Sequence, residues 1–168
     1  MYQQNVIIVP EGGASTTGVH GAATILNHLD VGGYNEIFCS VGTGTMMAGL
    51  LQQPSARIRG IAALKIPPEE QNQFERFIRE HSDNENLVFD YRFHFGGYSR
   101  HPQELLQFMN EFYETTGIPT DLVYTSKLFY GLMQIIKEGS ITRGSKVCAI
   151  HSGGLQGNRS LPQGTLVY

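Results

Sequence analysis

The sequence predicts an α/β protein: three layers, with a mostly parallel, twisted sheet carrying helices on both faces. Three observations carry that expectation. Short, β-branched apolar runs alternate with longer stretches of helical period along the chain. Turns rich in Gly, Ser and Thr follow three of those runs, at Gly12 to Gly18, Gly42 to Thr45 and Ser152 to Gly154. In parallel sheets such loops leave the carboxyl ends of strands and gather ligands there. Finally, 168 residues with 40% apolar and 16% charged content suit a single domain, residues 1–168, with a sizeable core, and fit neither a disordered chain nor a coiled coil.

Each element has its own signal. Val6 to Val9 is short, β-branched and ends at Pro10, so it reads as a buried strand. Val19, Ala22, Ala23, Leu26 and Leu29 recur at helical spacing in a helix from Gly18 to Leu29; Ser15, Thr16 and Thr17 either cap it or face a ligand. Ile37 to Val41 is a second strand, and Gly42 to Thr45 turns it into a helix bearing Met46, Met47, Leu50 and Leu51. Ile58 to Leu64 is a third strand. Pro67, Pro68, Glu69 and Glu70 open a helix that runs to about Ser82, because proline and acids suit the exposed amides of a first turn. Leu87 to Phe89 is a short strand, and 93–100 is a glycine-bearing loop. Helices follow from Pro102 to Thr116 and from Ser126 to Glu138, with Gly117 and Gly139 placed to stop them. Val147 to Ile150 is the last strand. The segment after Gly154 has no period and reads as an irregular tail.

Composition removes several classes of function. Twelve basic against fifteen acidic residues give a net charge of −3, with no cluster of four Lys or Arg. A nucleic-acid or anionic-membrane surface is therefore not expected. No apolar stretch approaches membrane-spanning length and no leader pattern is seen, so a soluble cytoplasmic protein is the default. Cys39 and Cys148 lie in apolar runs and read as buried reduced thiols, with a disulfide the alternative if their Cα atoms fall within about 7 Å. The six histidines show no convincing metal-ligand spacing. His94 and His101 read as surface residues, with contact to a substrate carboxylate the other option; His151 reads as packing under the final loop.

The sharpest local signal is Ser40 to Gly49. Small residues at Gly42 and Gly44 let backbone amides approach an anion, and the hydroxyls of Thr43 and Thr45 add donors. A tight turn with close packing is the structural alternative. No lysine follows in the P-loop arrangement, so nucleoside triphosphate hydrolysis is not expected. Gly42, Gly44 and Ala48 resemble a loose dinucleotide fingerprint, yet the ribose-binding acid is missing and Lys65 stands near its place. NADP binding is the distant alternative.

Five segments in order carry a resemblance to a known family. They are Val9-Pro10-Glu11-Gly12-Gly13 with Gly18, the Gly42 to Leu50 loop, Phe95-Gly96-Gly97-Tyr98, Gly117 to Lys127, and His151-Ser152-Gly153-Gly154. Together they resemble the aminocyclopropane-carboxylate deaminase and D-cysteine desulfhydrase family, pyridoxal-phosphate enzymes of fold type II. The resemblance implies pyridoxal 5′-phosphate as cofactor, with Gly42, Thr43, Gly44 and Thr45 cradling its phosphate and Thr125 and Ser152 offered to the pyridine nitrogen. Tyr124 and Tyr98 resemble the family's active-site tyrosines. Thr125 stands where the deaminases carry a glutamate, and a hydroxyl cannot keep a pyridine protonated as a carboxylate can. That ranks desulfhydrase-like β-elimination above opening of a cyclopropane. The substrate implied is a small amino acid, the products ammonia and an α-keto acid, and the assembly a homodimer.

The family's Schiff-base lysine sits in a Gly-Asn-Lys context, and none of Lys65, Lys127, Lys137 and Lys146 does. The chain is thus expected to correspond to the C-terminal part of the family's large domain, without the lysine segment and the small domain. By itself it is expected to be inactive and to form no covalent cofactor adduct. A non-catalytic subunit that binds phosphate or pyridoxal phosphate, or that serves assembly, is the alternative from another class.

Overall fold

The computed structural model describes residues 8–52 and 56–168. Its sheet has four parallel strands, β1 (Glu36–Val41), β2 (Arg57–Ala62), β3 (Leu87–Asp90) and β4 (Val147–Ala149), in the order β3-β2-β1-β4. Every residue of β1 is buried, because it is flanked on both edges and covered on both faces. Alternation sorts its side chains. Ile37, Cys39 and Val41 face α1 (Thr16–Ala23), α2 (Thr45–Leu50) and α3 (Pro68–Arg79), packing with Val19, Met47 and Ile78. Phe38 points the other way, with Ile61 of β2, onto Leu128, Phe129, Leu132 and Ile135 of α5 (Thr125–Lys137). A further helix, α4 (Gln103–Thr116), packs on α5 through an aromatic stack of Phe112 on Phe129 at 4.8 Å. The expected three-layer, parallel α/β architecture is the one observed.

One polar pair crosses this interior. Arg59 Nε donates to Glu36 Oε1 at 2.6 Å, and both side chains are buried on the α5 face. In register, Arg59 stands opposite Phe38 and lays its guanidinium over that ring at 5.5 Å. The pair lies near the amino end of β1, at the opposite end of the sheet from the glycine-rich loops, and belongs to the scaffold.

Several boundaries differ from the sequence expectation. For the N-terminal strand, Val6 and Ile7 lie outside the described residues. Ile8 and Val9 carry no strand and are 86% and 74% exposed, since Pro10 and the turn at Glu11–Gly13 lead straight into α1. The first helix begins earlier than Gly18: the Ser15 hydroxyl accepts from the Gly18 amide at 3.1 Å and caps it. That settles the role of Ser15 as a cap. The helix tightens to 3₁₀ geometry at Thr24–His28 rather than running on. Gly117 and Gly139 close α4 and α5 in left-handed backbone, as expected.

The tail after Gly154 is docked, not loose. A 3₁₀ segment at Leu155–Ser160 leads Leu161, Leu166 and Tyr168 onto Leu105 and Met109 of α4. Tyr168 stacks on Tyr113 at 4.6 Å and its hydroxyl donates to the Thr120 carbonyl at 2.7 Å.

Candidate active site

Loops from the carboxyl ends of β1 and β4 meet two helix-leading turns around a cavity of about 230 Å³. The loop after β1 supplies Gly42, Thr43, Gly44 and Thr45, the turn before α1 supplies Glu11 and Gly12, and the loop after β4 supplies Ser152. Tyr124, just before α5, forms another wall. Four expected cradle residues, one expected tyrosine and one expected ring-nitrogen partner therefore share one concavity. Glu11, Gly12 and Ser40 also line it. Gly12 belongs to one of the three loops expected to gather ligands, whereas no sequence signal assigned Glu11 to the site.

The β1 loop is built to expose backbone. Gly44 sits at φ 91, in left-handed backbone that L side chains rarely adopt, and caps α2. A Cβ at Gly42 would lie 3.1 Å from Tyr124 Cε1, so glycine lets the tyrosine ring close over the loop. The Thr43 hydroxyl stands 3.1 Å from that of Thr45 and donates to the Gly12 carbonyl at 3.4 Å. The amides of Thr43, Gly44 and Thr45 donate to no other backbone or side-chain group among the described residues.

Tyr124 is held by the turn before α5. Asp121, 1% exposed, accepts from the amides of Val123 and Tyr124 through Oδ1 at 2.8 Å each. Its Oδ2 accepts from the Thr125 amide at 2.8 Å and the Thr125 hydroxyl at 2.6 Å. The Thr125 hydroxyl in turn accepts from the Asp121 amide at 2.7 Å. Thr125 is thus fully buried and its hydroxyl is engaged on both sides. This corrects the expectation that it meets a pyridine nitrogen: it locks the helix start instead. Ser152, the other residue offered to that nitrogen, lies exposed at the cavity wall. Its loop is fixed by His151, whose Nδ1 accepts from the Gly153 amide at 3.1 Å while Nε2 donates to the Pro119 carbonyl at 2.8 Å.

Tyr98 does not line the cavity. It is 62% exposed and meets Tyr124 edge-on, with ring centroids 6.2 Å apart. Burial first, then the negative charge that Tyr98, Asp121 and Glu11 can carry, raises the Tyr124 phenol above its ordinary value, so it keeps its proton through neutral pH. His94 is held below its usual value by burial and by Lys127 and Lys65. Its Nδ1 accepts from the Gly96 amide at 2.8 Å.

Lys127 is fully buried, and its ammonium donates to the carbonyls of Ala63 and Gly97 at 2.9 and 2.6 Å. Burial pulls it down to about 8 from 10.5, with Asp121 opposing the shift. Between those values the unfolded chain binds the proton more tightly, so the penalty is fully present below about 8 and relieved as pH rises toward 10.5. Comparing the wild type with Lys127→Met cancels the groups that Lys127 does not influence, and His94, which it does, is held below 6.5 and so titrates outside this window. The stability difference should therefore move in favour of the wild type between about pH 8 and 10.5 in denaturant melts; a difference independent of pH would contradict the shift.

Both cysteines are free. Among the described residues no three His, Cys, Asp or Glu side chains cluster as metal ligands, and no helix is long and apolar enough to cross a membrane.

No protein-family profile matches the chain. It is 27% identical over 163 residues to a Pyrococcus horikoshii protein named "Putative 1-aminocyclopropane-1-carboxylate deaminase", covering 89% of this chain and 50% of that protein. A mitochondrial bifunctional D-cysteine desulfhydrase/1-aminocyclopropane-1-carboxylate deaminase of Arabidopsis thaliana is 26% identical, over 89% of this chain and 42% of its own length. A crystal structure of an ACC deaminase homologue superposes with a TM-score of 0.73 at 28% identity, covering 89% of this chain and 50% of the other. The chain spans about half the length of the relatives it matches.

Proposed function

Because the chain shares sequence and fold with the aminocyclopropane-carboxylate deaminase and D-cysteine desulfhydrase proteins over about half their length, we propose that it forms the phosphate-and-ring side of a pyridoxal-phosphate site acting on a small amino acid. The observation that carries this reading is the set of amides at Thr43, Gly44 and Thr45, unengaged among the described residues and opening on a cavity walled by an aromatic ring. An anion of tetrahedral shape fits such donors without a counter-charge. The residues present fit the rest of the group: Tyr124 closes over Gly42, and the Ser152 hydroxyl stands on the facing loop.

When bound, pyridoxal phosphate supplies an electron-withdrawing ring that stabilises negative charge at the substrate α-carbon. The chain's own residues do the rest. Gly42 to Thr45 would hold the phosphate end. Ser152 Oγ would offer the ring nitrogen a hydrogen bond without changing its protonation, which suits β-elimination, where departure of a leaving group relieves the charge. Tyr124 Oη, protonated at neutral pH, donates to the reacting substrate and can return a proton there. No lysine lines the cavity among the described residues, so the amine that anchors the cofactor comes from outside this lining.

Calorimetric titration tests the reading. Pyridoxal 5′-phosphate should bind at least about ten-fold more tightly than pyridoxal, which lacks the phosphate, and the double variant Thr43→Val/Thr45→Val should lose about five- to ten-fold of that preference. Equal affinity for the two compounds, or binding of neither, would overturn it.

A further inference from the structure

The Tyr98 loop adopts a costly backbone path. Phe95, Gly96, Gly97 and Ser99 all have positive φ, at 54, 96, 120 and 55°, and two of them carry side chains. The local bonds, Gly96 amide to His94 and His101 to the Ser99 carbonyl, join residues two apart and fix the loop to nothing beyond itself. The Phe95 ring rests on Tyr130 at 4.8 Å. Among the described residues the polar fastening from outside is Lys127, the third residue of α5, whose start is itself set by Asp121.

We propose that Lys127 is a positioning residue: its ammonium ties the Gly97 carbonyl to the Ala63 carbonyl just past β2, and this clamp holds Tyr98 against Tyr124, which lines the cavity. Both bonds are charge-assisted and fully buried, so they are stronger than neutral pairs and shielded from competing water. They join α5, the sheet and the strained loop at one atom. Without them, Gly97, with no side chain of its own, leaves the loop free to leave its left-handed path. The purpose of the clamp rests on the proposed cofactor reading; its geometry does not.

The sequence contains no tryptophan, so Tyr98→Trp installs a unique fluorophore on the loop, and Tyr34→Trp, before β1, a distant control. Adding Lys127→Met should lower the anisotropy of Trp at 98 and raise its acrylamide quenching about two-fold or more, while Trp at 34 is unchanged. Lys127→Gln, which keeps one donor group, should recover part of the anisotropy. Unchanged signals at 98, an equal change at 34, or failure of both variants to fold would overturn the proposal, the last by making Lys127 a core residue. Loss of the clamp signal in a protein that binds pyridoxal phosphate tests this inference alone; a working clamp in a protein that binds none leaves it standing and removes the cofactor reading.

Discussion

Asp121→Ala is expected to cost about 3 to 5 kcal/mol of folding stability, more than an ordinary helix cap, which is worth about 0.5 to 2. The reason is the number of partners. Three amides and a hydroxyl converge on one carboxylate that is 1% exposed. Removing it strands the amides of Val123, Tyr124 and Thr125 where water reaches them poorly, and each such group costs about 1 to 3 kcal/mol before relaxation. Asp121→Asn should cost roughly half as much, because the amide oxygen can replace Oδ1 while its NH₂ faces donors in place of Oδ2. Urea denaturation with an unchanged m-value is the measurement. A loss below about 1 kcal/mol for the alanine variant would show that the turn refolds around another acceptor. The same variant should weaken pyridoxal phosphate binding, since Tyr124 takes its place from this turn.

Gly44→Val is expected to remove anion binding and to cost about 3 kcal/mol or more. Two penalties act together. A β-branched residue at φ 91 is strained in any surroundings. Its Cβ would also lie 2.7 Å from Cγ1 and Cδ1 of Ile78, a fully buried core residue of α3. The loop must move, and the amides of Thr43 and Thr45 move with it. Gly21→Ala is the control. Gly21 lies inside α1 with open space around it, so that change should stabilise by about 0.5 to 1 kcal/mol. A Gly44→Val protein that still prefers pyridoxal 5′-phosphate over pyridoxal would contradict the assigned cradle.

The sequence made the strands and most helices legible because their apolar residues recur at the period of the element that buries them. Ile37 to Val41 is apolar on both faces, and the structure gives β1 as the strand covered on both faces. The early tightening at Thr24 was not legible, since Leu26 and Leu29 keep a helical spacing even where the turns become 3₁₀. The docking of Leu161, Leu166 and Tyr168 was hidden for a different reason. Their spacing follows no period, and what holds them is a surface of α4 made some fifty residues earlier.

At the site, Gly42 to Thr45 announced themselves because exposed amides demand small residues. Thr125 misled because a hydroxyl's partner cannot be read from its neighbours in a motif. One clue was present: Asp121, four residues back, stands in the spacing of a helix cap. Lys127 left a similar clue, as one cation among the buried residues 125–129 at the head of an apolar helix. A lone charge in that setting must find partners indoors, and here it found carbonyls from two separate loops.

Cys39 lies on central β1, 0% exposed, with burial pushing its thiol up to about 12. Cys148, on the edge strand β4, is partly open to solvent. Alkylating reagents act on the thiolate, so the two sulfurs form an internal clock. The outer one records fraying of the sheet margin. The inner one is modified only when the whole sheet comes apart, and its labelling rate measures that rare event in the native protein.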